Sequence, residues 1–429
     1  MICSNPLRKE SDRMKICIRW MLKAAAAAVM LLFLFQTAAA AGTGDVPFVM
    51  PVGDMAPRVP TKPMEMLSSE DAAQINEKMA SYSAEAESLL INRAEQYFYY
   101  ETLEPTTKQI YDLLYQVACD PVNEGNIGLL MTDEDPSSDE FYDKYNLAYR
   151  AICFDHPELF WLYSGEEAGI CYASEALVMN GLYYVYFLMN EPFTGYTQQM
   201  TAFNTAADAF LADIDTGISE YETIRQIHDK LVDMVNYDDA AASAISFGRG
   251  QDLAHTAYGS LVADSDGKDH FAVCDGYSLA IEYMCQQCGI EVAFNAGMAG
   301  SDPDNAGGHA WNVVKINGEW YELDSTWDDL GSLLDDYPEG SEMYNYCLEM
   351  LGDHDYVETY NRRLFLVSTD VISHFVPGDE YVYTTQDQMY ELRPAQESVH
   401  IRLENDGSDE NFDARILQYA PVAEHSFAW

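Results

Sequence analysis

The segments VCDGYS (273–278) and GHAWNVVKINGEWYELDSTWDD (308–329) decide the fold, because they bring a cysteine, a histidine and an aspartate onto adjoining elements. Cys274 follows a short apolar run and opens a helical pattern that Gly289 closes. The positive end of a helix dipole stabilises a thiolate, which is the reactive form of a cysteine nucleophile. Cys274 is therefore a candidate nucleophile.

The second segment has the pattern of a β-hairpin. Asn317-Gly318 is a strong two-residue turn signal, and strand-like residues alternate on both sides of it. In this register Ile316 faces Glu319, and His309 and Asp324 are diagonal neighbours on one face, with Cβ atoms about 7–8 Å apart. An imidazole and a carboxylate can span that gap. The register thus predicts a base, His309, and the group that orients it, Asp324.

Taken singly, each of these residues has an ordinary alternative. Cys274 could be a small buried hydrophobe, and His309 and Asp324 could be a surface polar pair. Their joint order and spacing favour the catalytic interpretation. Two further residues share this face: Trp311 is expected to wall the cleft and exclude water, with core packing as the alternative, and Glu322 is expected to tolerate replacement by glutamine.

These segments resemble the transglutaminase-like superfamily, whose papain-like core orders a catalytic Cys, His and Asp along the chain. The nucleophile, histidine and aspartate motifs are matched by CDGY (274–277), HAWN (309–312) and DSTW (324–327). The resemblance covers roughly residues 219–375, and the stretches at 227–239, 255–262 and 364–370 resemble bacterial secreted members. It implies an α+β fold in which the helix that bears the nucleophile packs on an antiparallel sheet.

The resemblance also implies a thiol-dependent acyl transferase or hydrolase that acts on amide bonds through a thioester. The acceptor stays open: an amine gives cross-linking, whereas water gives peptide cleavage or deamidation. The family has an oxyanion-stabilising side chain upstream of the nucleophile, and Tyr258 is the candidate for this role. The backbone N–H of Cys274 would be a second donor to the oxyanion. The alternative for Tyr258 is that of a tyrosine packed in the core. The alternative function is a catalytically silent binding or adhesion module on the same fold.

The composition describes a large and very acidic globular protein. The chain has 429 residues, of which 48% are hydrophobic, with 71 acidic against 23 basic side chains and a formal net charge of −48. Such a surface repels phosphate and anionic lipid, which argues against nucleic-acid and membrane-surface binding and favours divalent ions or cationic partners such as a cationic protein or peptide substrate. Solubility outside the cell is the plain alternative. The oligomeric state is not indicated.

The first 41 residues have the pattern of a secretory signal peptide. A positive region (Arg13, Lys15, Arg19, Lys23) precedes an apolar run at 24–35 and an Ala-x-Ala-like cleavage site at 37–41. This predicts a secreted, extracellular protein without stable membrane association, with an uncleaved anchor as the lesser alternative. Cleavage would remove six basic and two acidic residues, so the net charge of −48 would become −52.

Beyond the signal peptide, the sequence predicts four segments. They are a Pro-rich linker at 42–67, an N-terminal α+β module at 68–215, the transglutaminase-like catalytic domain at 216–375 and a β or irregular extension at 376–429. Within the module, helices are expected over 69–101, from Pro105 and over 139–162 up to about Pro157, and a strand over 182–189. A capping box of Ser219 and Glu222 predicts the helix that opens the catalytic domain.

No cofactor is expected, and no motif has metal-ligand spacing. Cys285 and Cys288 form a CxxC inside the predicted helix, where a core-facing pair is favoured over zinc. His228, His255 and His270 are interpreted as ordinary core or surface histidines. Two carboxylate clusters could at most hold loosely bound calcium and are solvated loops by default: Asp302, Asp304 and Asn305, and Asp328, Asp329, Asp335 and Asp336. Seven cysteines remain after residue 41, an odd count that fits one free thiol.

Overall fold

A five-stranded antiparallel sheet and the helix that begins at Cys274 form the centre of the molecule. The computed structural model describes residues 97–122, 126–163, 169–179, 181–189, 195–242, 253–263, 270–300, 306–329, 340, 344–345, 361–373, 381–385, 388–392, 399–405 and 411–427. The predicted signal peptide, the linker and most of the helix expected over 69–101 lie outside these residues.

The central sheet has the strand order β12-β6-β7-β8-β9. Its strands are β6 (Val292–Gly300), β7 (Gly307–Ile316), β8 (Glu319–Leu323), β9 (Phe365–Val367) and β12 (Val399–Arg402). The remaining described strands are β1 (Gly128–Thr132), β2 (Ile170–Met179), β3 (Leu182–Met189), β4 (Val235–Tyr237), β5 (His270–Ala272), β10 (Tyr381–Thr385) and β11 (Gln388–Leu392). β1, β3 and β2 form a second sheet, β4 and β5 a parallel pair, and β10 and β11 a hairpin.

The helices of the described residues are α1 (Phe98–Thr102), α2 (Pro105–Ala118), α3 (Asp139–Asp155), α4 (Tyr196–Leu211), α5 (Glu220–Met234), α6 (Asp239–Ala242), α7 (Ala257–Leu261), α8 (Cys274–Gln287), α9 (Thr369–Ile372) and α10 (Phe412–Leu417), with 3-10 turns at Pro157–Tyr163 and Leu253–His255. Three predicted boundaries are confirmed. Pro105 occupies the first turn of α2, the Ser219 side chain accepts from the backbone N–H of Glu222 at 3.1 Å to cap α5, and Gly289 ends α8 with a φ of 75°.

The hairpin between β7 and β8 has the predicted turn and register. Asn317 and Gly318 have φ angles of 53° and 89°, as a type I′ turn requires, and Ile316 pairs with Glu319. The ladder ends at the pair of Asn312 and Leu323, so Asp324 begins a turn and no longer lies on the strand.

α8 packs on β6 and β7, and its first turn is pressed against the chain before it. A Cβ on Gly276 would lie 2.3 Å from the carbonyl oxygen of Ala254, a separation that only glycine allows. Asn312 of β7 donates its amide to the carbonyl of Ser278 at 3.0 Å. The start of α8 is thereby fixed against both the sheet and the 253–256 turn.

One hydrophobic core connects the three predicted parts of the chain after residue 68. It runs from Tyr99 in α1 through Ile281 in α8 to Leu417 in α10. The C-terminal segment, expected to be β or irregular, adds β12 to the edge of the central sheet by pairing with β6. The domain boundaries themselves stay a prediction. Among the described residues, no helix combines the length and the apolar character needed to cross a membrane.

Candidate active site

The structure brings Cys274, His309 and Asp324 together as the sequence predicts. Cys274 is the first residue of α8, His309 lies near the start of β7, and Asp324 follows β8 directly. All three are buried, with residue exposures of 7%, 5% and 0% respectively. Burial from water strengthens the electrostatic interactions between them.

His309 and Asp324 form a short charge-assisted pair. Nε2 of His309 lies 2.7 Å from Oδ2 of Asp324. Burial alone would lower the pKa of His309, but the charge of Asp324, the hydrogen bond to it and a hydrogen bond to Cys274 raise the pKa from 6.5 to about 10. His309 is therefore an imidazolium at neutral pH, and Nδ1 is the ring nitrogen left for the thiol because Nε2 is engaged by Asp324.

Asp324 is held as a carboxylate by donors on both of its oxygens. Oδ1 accepts from the backbone N–H groups of Thr326 and Trp327 at 3.0 and 3.1 Å, in the manner of an aspartate that opens a turn. Burial would raise the pKa of Asp324, but the charge of His309 and the hydrogen bonds from His309 and His400 hold it well below the usual range. The orienting group thus keeps its negative charge in a site without water exposure.

The start of α8 offers a backbone hydrogen-bond donor for the oxyanion of the reaction. The first N–H groups of a helix have no partner within the helix, and they favour negative charge. The backbone N–H of Cys274 is one of these groups. It can therefore donate to the oxyanion that forms when the thiolate adds to a carbonyl.

Tyr237 is a tyrosine whose pKa is raised by burial and by the charge of Cys274, and none of the nucleophile, histidine and aspartate motifs includes it. Tyr237 ends β4 and pairs with Ala272 of β5, which precedes Cys274 by two residues in the chain. Its pKa is raised by burial and then by the charges of Cys274 and Asp275, whereas the pKa of Tyr258 is raised by burial alone. The ring of Tyr258 packs on those of Phe160 and Phe203, with centroids 4.7 and 6.5 Å away. The contacts of Tyr258 support the core-packing alternative.

Trp311 and Glu322 are fully buried and have more contacts than the sequence predicts. Trp311 has no exposed surface and packs with Leu364 and Val367, so its surroundings are those of core packing and not of an open cleft wall. Its indole N–H donates to Glu322 at 2.8 Å, and Glu322 also accepts from Thr369 and pairs with Arg402. The expectation that Glu322 tolerates glutamine is not supported, because a fully buried carboxylate with three donors depends on its charge.

A second histidine, absent from the sequence motifs, contacts the same carboxylate. Nε2 of His400 lies 2.7 Å from Oδ2 of Asp324. One ligand atom each from His309, Asp324 and His400 lie within 4.8 Å of one another, a spacing that a metal site requires. They already hydrogen-bond to each other, and we assign no metal to them. A buried His in the alternating segment VHIR (399–402) was the only sequence signal for this contact.

The other polar residues singled out in the sequence have structural partners. His228 is buried between Asp328 and Asp229, with both N···O distances at 3.2 Å, and His255 contacts both oxygens of Asp275 at 2.9 and 2.8 Å. Asp328 and Asp329 are occupied by protein donors, and the remaining members of the two carboxylate clusters lie outside the described residues. Cys285 is buried and Cys288 half-buried, and neither forms a disulfide within the described part of the chain.

A surface depression of about 550 Å³ lies away from this site. It is bounded by α5 and by the segment that precedes it, and its lining includes Asp213, Arg225, Asp229 and Lys230. None of its lining residues belongs to the triad. Its charged side chains pair with each other, so it does not compete with the triad as the site of chemistry.

Comparison with known proteins places this site in a family. Residues 208–325 match the model of the Transglutaminase-like superfamily, and this segment contains all three triad residues. A stretch of 140 residues is 27% identical to kyphoscoliosis peptidase of Homo sapiens, covering 31% of this chain and 19% of that protein. The segment thus belongs to the transglutaminase-like superfamily, and the chain spans only about a fifth of the length of this relative.

Two solved structures match part of this chain at low similarity. A candidate cysteine protease from Cytophaga hutchinsonii is 20% identical, with 31% of this chain and 39% of that chain covered and a TM-score of 0.21. A TGase is 13% identical, with 37% of this chain and 44% of that chain covered and a TM-score of 0.22. The family match and the packing of α8 on the antiparallel sheet confirm the predicted α+β fold of transglutaminase type.

Proposed function

We propose that this protein is a secreted enzyme that transfers acyl groups from amide bonds of proteins or peptides to water or to an amine. The observation that carries the proposal is the buried pair of His309 and Asp324, 2.7 Å apart, with His309 also bonded to Cys274. Such a constellation supplies nucleophile, proton carrier and orienter within hydrogen-bond reach.

The chemistry follows from the charge of each group. The thiolate of Cys274 adds to the amide carbonyl, and the resulting oxyanion is met by the backbone N–H of Cys274. The imidazolium of His309 then gives its Nδ1 proton to the leaving amine, the C–N bond breaks, and a thioester remains. Water or a second amine attacks the thioester, His309 takes the proton of this acceptor, and the thiolate leaves. Asp324 keeps the proton of Nε2 in place throughout, which fixes the reactive tautomer.

The rival function is a catalytically silent binding or adhesion module on the same fold. The two functions differ in one property of Cys274: the module needs no activated thiolate, whereas the enzyme does. Secretion and the cationic substrate rest on the signal-peptide pattern and on the net charge of −48. Sequencing the N-terminus of the protein recovered from culture medium tests the first, and a start near residue 42 is the expected result.

The test of the enzyme is turnover by matched variants of the full chain. Casein serves as acyl donor, with peptide release reporting hydrolysis and incorporation of a fluorescent primary amine reporting transfer. Cys274→Ala should abolish both while changing the free energy of unfolding by about 1 kcal/mol or less, because a small side chain at a helix terminus is removed. Cys288→Ala, a half-buried cysteine at the other end of α8, is the control and should keep activity. Activity that survives in Cys274→Ala contradicts the proposal.

A further inference from the structure

His400 donates to the catalytic carboxylate from a strand that lies outside the matched family segment. Its Nε2 lies 2.7 Å from Oδ2 of Asp324, the same oxygen and the same distance as for Nε2 of His309. The family match ends at residue 325, so His400 comes 75 positions later in the chain. We propose that His400 is a positioning residue that acts through Asp324, so that strand β12 is part of the active site. This inference rests on the proposed function.

The surroundings of His400 make it a neutral donor. Its side chain is fully buried, and burial lowers its pKa even though the hydrogen bond to Asp324 opposes this effect. The ionisable groups that face it are Asp324, His309 and Glu322, and Arg402 pairs with Glu322. A neutral imidazole that meets a carboxylate must carry its proton on the nitrogen that faces the oxygen. His400 therefore has its proton on Nε2, and within the described residues its Nδ1 has no hydrogen-bond partner.

The strand that carries His400 is built to lie close to the site. β12 pairs with β6, and a Cβ on Gly297 of β6 would lie 2.0 Å from the carbonyl oxygen of Ile401. Only glycine at this position allows the edge strand to approach so closely. Arg402, two residues after His400 and so on the same face, pairs with Glu322 and donates to the carbonyl of Ala420 at 2.9 Å. The two side chains of β12 thus secure two carboxylates of the β8 segment.

Aromatic rings fix the orientation of the His400 imidazole. The rings of Trp311 and Trp327 lie 5.1 and 5.2 Å from it, at interplanar angles of 82° and 63°. The His309 ring is 5.2 Å away at 68°. The three rings enclose the imidazole while its Nε2 is directed at Asp324. The hydrogen bond between His400 and Asp324 is therefore held in place by the surrounding packing.

The consequence for catalysis follows from the number of donors on Asp324. Oδ1 is satisfied by two backbone N–H groups, and Oδ2 is shared by His309 and His400. A second donor on Oδ2 takes up part of its negative charge, so the carboxylate holds the proton of His309 less strongly. Since His309 must release a proton to the leaving amine, this sharing makes it a better acid. Asp324 stays in place without His400, because its Oδ1 contacts do not depend on it.

The test is NMR of the full chain labelled with ¹⁵N-histidine, which needs no substrate. In the unmodified protein, the His400 resonances should show a proton on Nε2 and no charge across neutral pH. In His400→Leu, which keeps the bulk but removes the donor, the proton dissociation constant of His309 should fall about three- to tenfold. In His400→Gln, whose side-chain amide can donate in place of Nε2, it should stay within about twofold of the unmodified protein. His425→Gln, an exposed histidine on the same C-terminal segment, is the control.

Two results would overturn the inference. One is a His400 that carries its proton on Nδ1 or is charged at neutral pH, and the other is an unchanged titration of His309 in His400→Leu. If His400→Leu does not fold, the spectrum of the unmodified protein and the titration of His400→Gln still decide. Failure of the proposed function is distinguished by a different measurement. A catalytically silent module would form no thioester and show no turnover, whether or not His400 contacts Asp324.

Discussion

Replacing Asp324 by asparagine should disable the site without removing its shape. The amide oxygen will take the place of Oδ1, where two backbone N–H groups need an acceptor, so the amide NH₂ will face the imidazoles. A neutral His309 must then accept at Nε2 and carry its proton on Nδ1, where the thiol needs a proton acceptor. The variant therefore holds the base in the wrong tautomer and removes the charge that stabilises the imidazolium.

The magnitude can be worked from the raised pKa of His309. A rise from 6.5 to about 10 corresponds to roughly 5 kcal/mol in favour of the imidazolium, at about 1.4 kcal/mol for each tenfold change. Cys274 supplies part of this stabilisation, so the share of Asp324 is smaller, and we expect the rate of acyl transfer to fall by about 10²- to 10⁴-fold.

The assay is thioester formation and turnover with a peptide amide, followed in parallel for Asp324→Asn and Asp328→Asn. Asp328 is a matched control, because its carboxylate is also buried and hydrogen-bonded to a histidine, His228. Only its backbone N–H, which the substitution keeps, donates to the triad, at 3.2 Å from the carbonyl oxygen of Asp324. The control should keep activity within about tenfold after correction for the folded fraction. If Asp324→Asn keeps activity within about threefold, or if both variants lose it equally while folded, the assigned role of Asp324 is wrong.

Three further predictions follow from charge. Amide turnover should decline as the pH rises through about 10, because His309 then loses the proton that it gives to the leaving amine. Turnover of an activated ester should be less affected, because its leaving group needs no proton. Burial would lower the pKa of His228, but hydrogen bonds to Asp229 and Asp328 raise it from 6.5 to about 8, so its stabilisation is full below pH 6.5 and lost as the pH passes about 8. The unfolding free-energy gap between the unmodified protein and His228→Gln should therefore shrink by about 2 kcal/mol between about pH 6 and about pH 9, and a pH-independent gap refutes this. The net charge of −48 should make kcat/KM at low salt higher for a lysine-rich peptide than for a neutral one. This difference should fade as added salt shortens the Debye length from about 30 to about 8 Å. If both peptides show the same salt dependence, the charge serves solubility alone.

Local patterns were sufficient to predict the fold around the nucleophile and the first three site residues. The Asn317-Gly318 turn and the start of α8 at Cys274 depend on neighbours in the chain, and both are confirmed. The register also predicted that His309 and Asp324 meet, although the strand ends one residue earlier than assumed. Asp324 leaves the ladder to accept two backbone N–H groups of the following turn, a side-chain contact that a strand count does not include.

The rest of the site depends on contacts between segments far apart in sequence. His400 reaches Asp324 only because β12 pairs with β6, and no periodicity in either strand specifies that pairing. Glu322 was likewise expected to tolerate glutamine, because its contacts with Arg402 and Trp311 cannot be read from the sequence of its own strand. Tyr237 comes close to Cys274 through the parallel pairing of β4 with β5, a three-residue ladder too short for a sequence signal.

The most direct measurement is the alkylation rate of each cysteine by iodoacetamide near neutral pH, followed by peptide mapping. Cys274 is only 7% exposed, whereas Cys119 is exposed and serves as the internal reference. We expect Cys274 to react at least about tenfold faster than Cys119 despite its burial. His309→Gln should remove this advantage and leave the rate of Cys119 unchanged. A Cys274 that reacts no faster than Cys119, or that keeps its rate in His309→Gln, would contradict an activated thiolate and favour the silent module.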